Sequence, residues 1–411
     1  MALDCTRVRQ DFPPLSSGLV FLDNAASTLK PRSVMEAMHS FGLSSYANVH
    51  RGVYRLSMEA SKAYEDAHEV VAKFVGGTWE EVVFTRNSTE SLQTAALTLY
   101  ANGVITRGSE ILITMAEHHA NMIPWLRVAK MAGASVKMLP LDEEGVPRWD
   151  LLDEYLTPKT SVVAIGHISN VTGSKAPVEE VARKARSTGA LLVLDSAQGV
   201  PHTPVNFKAM GVDMAAFSGH KMLGPTGIGV LWIRRDLAEE LEPPLGGGGT
   251  VDRVKLGSGG VEIRWSTTPW KFEAGTPPII EAVGLAEAVR YLEAIGMENV
   301  ERHEEELTRA LLEGIAEREY IEVLGPRSPG RRQGIVAFNI RGMKPDWVGL
   351  ALDRRGIAVR TGLHCAHILH DALGHSEGSV RASLYIYNCI SDVEKLLEAL
   401  DDIYKRHGGA K

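Results

Sequence analysis

Five short apolar runs recur through the middle of the chain, and their order limits the fold more than any other feature. They are Ile111–Met115, Val162–Gly166, Leu191–Leu194, Met214–Phe217 and Ile228–Ile233. Consecutive apolar positions over so few residues suit strands buried on both faces. Between the second and third runs, Val178–Thr188 is apolar at 178, 181, 182 and 185, which is helical spacing, and Pro177 stands where a helix can start. Strand, helix, strand in this order predicts an α/β protein with a mostly parallel sheet and right-handed crossovers.

With 411 residues the chain has room for two or three domains. The glycine-rich stretch Leu245–Gly260 reads as a flexible loop or hairpin. Beyond it, Ile279–Ile295 and Val300–Glu319 read as long helices. They lead to a second strand set (Gly334–Ile340, Ile357–Arg360, Arg381–Tyr387) and a final amphipathic helix, Ser391–Lys405. The expected division is a large domain over 16–290 and a small α+β domain over 1–15 and 291–411.

A net charge of −7, with no basic run and no metal-finger spacing, gives no sign of a nucleic-acid partner. No run approaches 18 uninterrupted apolar residues, so no membrane span is expected. Met1–Asp11 is charged and lacks the apolar centre of a secretory signal. Three cysteines so far apart (Cys5, Cys365, Cys389) do not read as a disulfide framework, and they favour a reducing, cytoplasmic setting.

Six places carry potential chemistry. Lys221, in Ser218-Gly219-His220-Lys221, follows a buried strand. A lysine there can condense with a bound aldehyde; the bland alternative is a solvated surface lysine. Asp195 ends the run LLVLDSAQ and, with Gln198, can face a ligand crevice; the alternative is an Asp capping its own turn. Thr85–Glu90 (TRNSTE) opens a helical stretch, Ser91–Tyr100, where backbone N–H groups can meet a phosphate, or where a residue simply caps the helix. His118 and His119 follow the first strand; one could stack on a pyridine ring, whereas adjacent histidines are a weak metal signal. Cys365 lies in a Gly- and His-bearing loop that could hold a thiolate, although most cysteines are buried and inert, the reading kept for Cys5 and Cys389. Arg381 offers a fork suited to a carboxylate, or a surface ion pair.

Taken in order, ten segments resemble the SufS-like (group II) cysteine desulfurases, in the class V branch of the fold-type-I pyridoxal-5′-phosphate (PLP) enzymes. They are FLDNAAST (21–28), VHRG (49–52), TRNSTE (85–90), EHHANMIPW (117–125), HISNVTG (167–173), DSAQ (195–198), FSGHKMLGPTGIG (217–229), FEAGTP (272–277), AVRTGLHCA (358–366) and RASLYIYN (381–388). The resemblance implies a seven-stranded-type sheet sandwiched by helices, with the Cys365 loop on the small domain. It implies that Lys221 holds the cofactor's aldehyde and moves the substrate α-proton. Asp195 would pair with the pyridinium nitrogen, which keeps the ring an electron sink. Gln198 would contact the ring hydroxyl, and His118 would stack on the ring, with His119 as fallback. Ser88, Thr89, Ser218 and His220 would hold the phosphate, and Thr276 would reach that of a neighbouring subunit in a homodimer. Asn170 and Arg381 would orient L-cysteine; Ala25, Ala26, His50, Arg360 and His364 would line its pocket. Cys365 would receive the sulfur as a persulfide, with Arg360 and His364 lowering its thiol pKa. An acceptor of the SufE or SufU type, or a scaffold protein, would then take the sulfur toward iron–sulfur cluster assembly or related trafficking.

One departure is Leu363, where the group II pattern has a first histidine before His364. His367, His370 and His375 read as an ordinary polar loop, with persulfide tuning or adventitious metal as the alternative. Rival functions are selenocysteine cleavage on the same machinery, aminotransfer, which gives Cys365 no task, and a non-catalytic scaffold, which expects erosion of Lys221, Asp195 or Cys365. A nicotinamide dehydrogenase needs a G-x-G-x-x-G after a strand, and Gly246–Gly249 follows a Pro-Pro pair instead.

Overall fold

The computed structural model describes residues 3–407. Its strands are β1 (Val20–Phe21), β2 (Val82–Thr85), β3 (Glu110–Thr114), β4 (Ser135–Leu139), β5 (Thr160–Gly166), β6 (Leu191–Asp195), β7 (Met214–Ser218), β8 (Gly229–Ile233), β9 (Val251–Gly257), β10 (Gly260–Trp265), β11 (Ile321–Leu324), β12 (Ile335–Ile340), β13 (Ile357–Ala358), β14 (Arg360–Gly362) and β15 (Ser379–Ser383). A seven-stranded sheet runs in the order β2-β8-β7-β6-β5-β3-β4. Its β4-β3-β5-β6-β7 neighbours pair in parallel, while β8 is antiparallel to both β7 and β2.

Successive residues of the central strands enter different cores. Leu192, Leu194, Ala215 and Phe217 pack on one side, and Val193, Met214 and Ala216 on the other. This is why those strands read as continuous apolar runs: side chains alternate between faces, and both faces are dry. The five expected strands all form, within one or two residues of their expected ends. Helix Val178–Thr188 forms as expected and stops at Gly189, whose φ of 83° provides the left-handed cap. Strands β2 and β4 escaped sequence reading. They close the two edges, and β4 (SVKML) is too polar and too exposed to look like its neighbours.

The glycine-rich stretch forms an exposed hairpin, β9–β10. After the long helices Ile279–Ile295 and Met297–Ala316 comes a four-stranded antiparallel sheet, β11-β12-β15-β14. Val336, Phe338, Val380 and Ala382 face helices Met297–Ala316, Pro345–Asp353 and Ile390–His407. On the other side Ala337 packs with Ala116, Val171, Ala366 and Leu369, so this sheet backs directly onto loops that leave β3 and β5.

Two expectations need correction here. The strand expected over Arg381–Tyr387 ends at Ser383. Beyond it Tyr385 N–H donates to the Asn388 side chain (2.8 Å), so the backbone turns, while Tyr385 and Tyr387 stay buried as core aromatics. Cys5 and Cys389 are disulfide-bonded, with Cα atoms 5.7 Å apart, rather than inert free thiols. Distance along the chain says nothing of distance in space. The short helix Cys5–Arg9 folds back on the start of the final helix, where Arg9 also pairs with Asp392 at 2.7 Å.

Candidate active site

Each strand of the large sheet that bears a chemical group delivers it at its C-terminal end or just beyond. Asp195 ends β6, Lys221 follows β7 through a single 3-10 turn, His118 follows β3 and Asn170 follows β5. Parallel strands end on one edge, so these groups converge in one crevice. That crevice is a cleft of about 320 Å³. Ala25, Ala26, Ser88, Thr89, His118, Asn170, Asp195, Gln198, Ser218, His220, Lys221, Arg360, His364, Cys365 and Arg381 all line it. His50 and Thr276 do not; both line a second cleft, with Gly249 and Trp270.

At one end of the crevice the helix Ser88–Ala101 presents its N-terminus. Asn87 caps it by accepting from Glu90 N–H at 3.0 Å. Ser218 Oγ accepts from Ser88 N–H (2.8 Å) and donates to Ser88 Oγ (3.0 Å), tying the end of β7 to the first turn of the helix. Close approach there requires Gly229: a Cβ would stand 2.5 Å from the Asn87 Cα. The hydroxyls, backbone N–H groups and helix dipole form a ready anion site.

In the middle, buried Asp195 and half-buried Lys221 lie near each other. Burial pushes the Asp195 carboxyl above its ordinary range, opposed by the Lys221 charge. Burial also lowers Lys221 from 10.5 to about 8, despite Asp195. His118 is brought down to about 3 by burial, with Lys221 adding to the shift. Its Nδ1 accepts from Ala120 N–H (3.0 Å), so the ring is neutral and carries its proton on Nε2. His119 points elsewhere and meets His367 edge-to-face, with ring centroids 4.4 Å apart.

The far wall carries the thiol. His364 and Cys365 both have left-handed backbones (φ 48° and 56°), a turn that brings Cys365 to the surface beside the cleft. Three bonds hold this turn in place. Asn170 Nδ2 donates to His364 O (2.8 Å), His119 N–H donates to Cys365 O (2.8 Å), and Ala366 N–H donates to Leu363 O (2.8 Å). Burial lowers His364 to about 2, so it is a neutral ring and supplies no positive charge to the thiol, contrary to expectation. The cations around Cys365 are Arg360, Arg381 and Lys221, each of which feels its charge. Arg360 grips Asp23 through Nε and Nη2. Arg381 is buried, donates to Asn170 O (2.8 Å), and keeps Nε without a partner. An unpaired buried guanidinium donor is costly unless a ligand meets it, and a carboxylate fits a fork of this kind.

Sequence reading missed Glu117. It lines the cleft beside His118, is fully buried, accepts from Thr114 Oγ1 (2.6 Å) and Asn121 Nδ2 (2.7 Å), and is pushed up to about 7 by burial. Its place at a strand end, immediately before His118, was the available signal. Of the later histidines, His370 is buried between Ala366 O and Ser379 Oγ, and His375 lies 3.6 Å from Glu322. Among the described residues no group of three His, Cys, Asp or Glu side chains could hold a metal ion.

The residues fit PLP. An anion cradle, a depressed lysine, a buried carboxylate beside that lysine and a guanidinium whose Nε has no partner stand in one crevice. Residues 20–396 match the family described as aminotransferase class-V. A protein of Aeropyrum pernix named probable cysteine desulfurase is 66% identical over 97% of this chain and 98% of its own length. A cysteine desulfurase of Haloferax volcanii is 41% identical over 97% of this chain and 96% of its own. The apo structure of a cysteine desulfurase from Thermococcus onnurineus superposes with a TM-score of 0.93 at 40% identity, covering 99% of each chain. The cysteine desulfurase CsdA of Escherichia coli, solved with an S-sulfonic acid, gives 0.89 at 36% identity, covering 99% of this chain and 100% of that one. With the fold, the crevice and these full-length likenesses in agreement, the chain belongs to the class-V aminotransferase family of PLP-dependent enzymes, in its cysteine desulfurase group.

Proposed function

We propose that this protein removes sulfur from L-cysteine, yielding L-alanine, and carries the sulfur on Cys365 as a persulfide. The observation that carries the reading is that one cleft is lined by an exposed thiol at Cys365 and by the Lys221–Asp195 pair. When bound, PLP supplies an electron sink that makes the substrate α-proton removable. Lys221 holds the cofactor and, with an amine depressed to about 8, accepts and returns protons at the α-carbon. Asp195 and Gln198 would hold the ring, with the neutral His118 beside it. Ser88, Thr89, Ser218 and His220 would hold the phosphate. Arg381 and Asn170 fix the substrate carboxylate, and Ala25, Ala26, Arg360 and His364 bound its pocket. The Cys365 thiolate attacks the substrate sulfur; an S–S bond forms as the C–S bond breaks, and the carbon fragment gains protons to leave as alanine.

Residues 16–290 then make up the cofactor-holding domain, and 1–15 with 291–411 the smaller domain that carries the Cys365 loop. The separate seven- and four-stranded sheets support this division, while β1 (Val20–Phe21) crosses it to pair with β13. A homodimer is supported by Thr276 and His50, which stand together outside this chain's own cleft, where a partner's site could use them. The sulfur acceptor is a protein of the SufE or SufU type or a scaffold, serving iron–sulfur cluster assembly or related sulfur trafficking. The same reading places the protein in the cytoplasm, where a Cys5–Cys389 disulfide is uncommon. No helix among the described residues is long and apolar enough to cross a membrane.

Wild type and Cys365→Ala, both loaded with PLP, test the reading. Wild type should release alanine, and sulfide when a thiol reductant is present; the variant should bind PLP equally and release neither. Sulfide release by Cys365→Ala at the wild-type rate would sink the assignment of the thiol, and a wild type that takes up no PLP would sink the whole reading.

A further inference from the structure

A chain of buried polar groups leads away from the cleft, and the chemistry above gives it no task. Gln198 lies in the cleft wall, and its Nε2 donates to Ala25 O at 2.7 Å. His202, one helical turn on, has Nε2 3.2 Å from Gln198 Oε1 and Nδ1 2.8 Å from Glu304 Oε1. Glu304 belongs to the long helix Met297–Ala316, and its other oxygen accepts from Gln333 Nε2 at 3.2 Å. Gln198 is 3% exposed, and His202, Glu304 and Gln333 are fully buried. The fold makes room for this chain: at Gly334 (φ 49°) a Cβ would lie 2.4 Å from Glu304 Oε2.

The direction of these bonds is fixed by what each end can do. A backbone carbonyl only accepts, so Gln198 must turn its NH₂ toward Ala25, which turns its oxygen toward His202. His202 must then carry a proton on Nε2. Its Nδ1 faces a carboxyl oxygen, and one proton lies between them whichever atom holds it. Gln333 can only donate to the second carboxyl oxygen. A flipped Gln198 would set its oxygen against Ala25 O, a buried mismatch that no shift of the His202 proton can relieve. The amide is therefore held with its NH₂ toward Ala25, and that NH₂ carries a second N–H beyond the one Ala25 O takes.

We infer that His202 and Glu304 are positioning residues that lock the Gln198 amide as a hydrogen-bond donor toward the ring oxygen of the bound cofactor, and so couple cofactor binding to the helix Met297–Ala316. This rests on the functional reading above. It goes beyond it because neither residue touches the cofactor's cleft.

The test uses PLP as the probe on apoenzyme, reading its dissociation constant, the visible absorption of the bound cofactor against pH, and the thermal midpoint of the apoenzyme. His202→Phe and Glu304→Leu should each weaken PLP binding by about tenfold, the loss of one hydrogen bond to a charged oxygen. They should also move the pH midpoint of the visible band. Glu304→Gln should bind like wild type: its NH₂ can donate to His202 Nδ1 and its oxygen can accept from Gln333, so the direction of the chain survives without the charge. The double variant Gln198→Ala/His202→Phe should be no weaker than Gln198→Ala alone, because the relay acts only through that amide. The inference is overturned if His202→Phe and Glu304→Leu bind PLP within twofold of wild type with an unmoved band. It is also overturned if Glu304→Gln is as impaired as Glu304→Leu, or if the double variant is additive, which is what a merely structural role would give. Failure of wild type itself to take up PLP would instead overturn the functional reading on which the relay rests.

Discussion

Lys221 and Glu117 are both titratable groups shifted by desolvation, in opposite senses. Lys221 is lowered from 10.5 to about 8. Only its free amine reacts with an aldehyde, so the rate of PLP loading onto apoenzyme should climb about tenfold per pH unit below 8 and level off above it. Stopped-flow loading across pH 6–10 checks this, with Lys221→Ala forming no covalent adduct. Glu117 is raised from 4.5 to about 7, so between those values the folded chain binds more protons than the unfolded one. Its contribution to apoenzyme stability is therefore present below 4.5 and lost as pH rises through 7, by about 3 kcal/mol. Glu117→Gln should abolish that part of the decline in denaturant titrations at pH 5 and pH 8. At this scale sequence legibility was uneven. Lys221, Asp195 and Cys365 stood out because their neighbours in sequence are also their neighbours in the site. Glu117 did not, because only burial makes its carboxyl unusual.

At the scale of elements, the loop that presents Cys365 depends on glycine in the strands beside it. Gly378 has φ 92°, and a Cβ there would lie 2.5 Å from the carbonyl carbon and oxygen of Gly362, at the end of β14. Gly378→Ala should therefore introduce about 1–3 kcal/mol of backbone strain and displace β14 with the loop that follows it. Desulfuration should fall well before PLP affinity does, since the cofactor groups sit on the other sheet; parallel kinetic and binding titrations check the split. Strands and helices with a dry face on both sides were legible from their runs. The edge strand β4 was not, because an edge needs fewer apolar residues, and β2, though apolar, is only four residues long; nor was the break after Ser383, which a side-chain hydrogen bond to Asn388 sets.

At the scale of the molecule, Cys5–Cys389 joins residues 384 apart and ties the N-terminal helix to the last one. Closing so long a loop restricts the unfolded chain, so Cys5→Ser should lower stability by about 2–5 kcal/mol. Cys389→Ser and the double variant should match it, and desulfuration at moderate temperature should be unchanged; thermal denaturation with and without reductant checks this. Sequence alone determined that the chain builds a parallel sheet, which strand ends bear chemical groups, and the order in which those groups occur. Those properties are local, set by side-chain alternation and by the residue that ends each run. Tertiary structure decided the rest: that Cys5 meets Cys389, that His364 is neutral, that His50 and Thr276 stand outside the cleft, and that Gln198 is backed by His202 and Glu304. Each depends on burial or on contact between residues far apart in the chain, and neither quantity exists until the chain has packed.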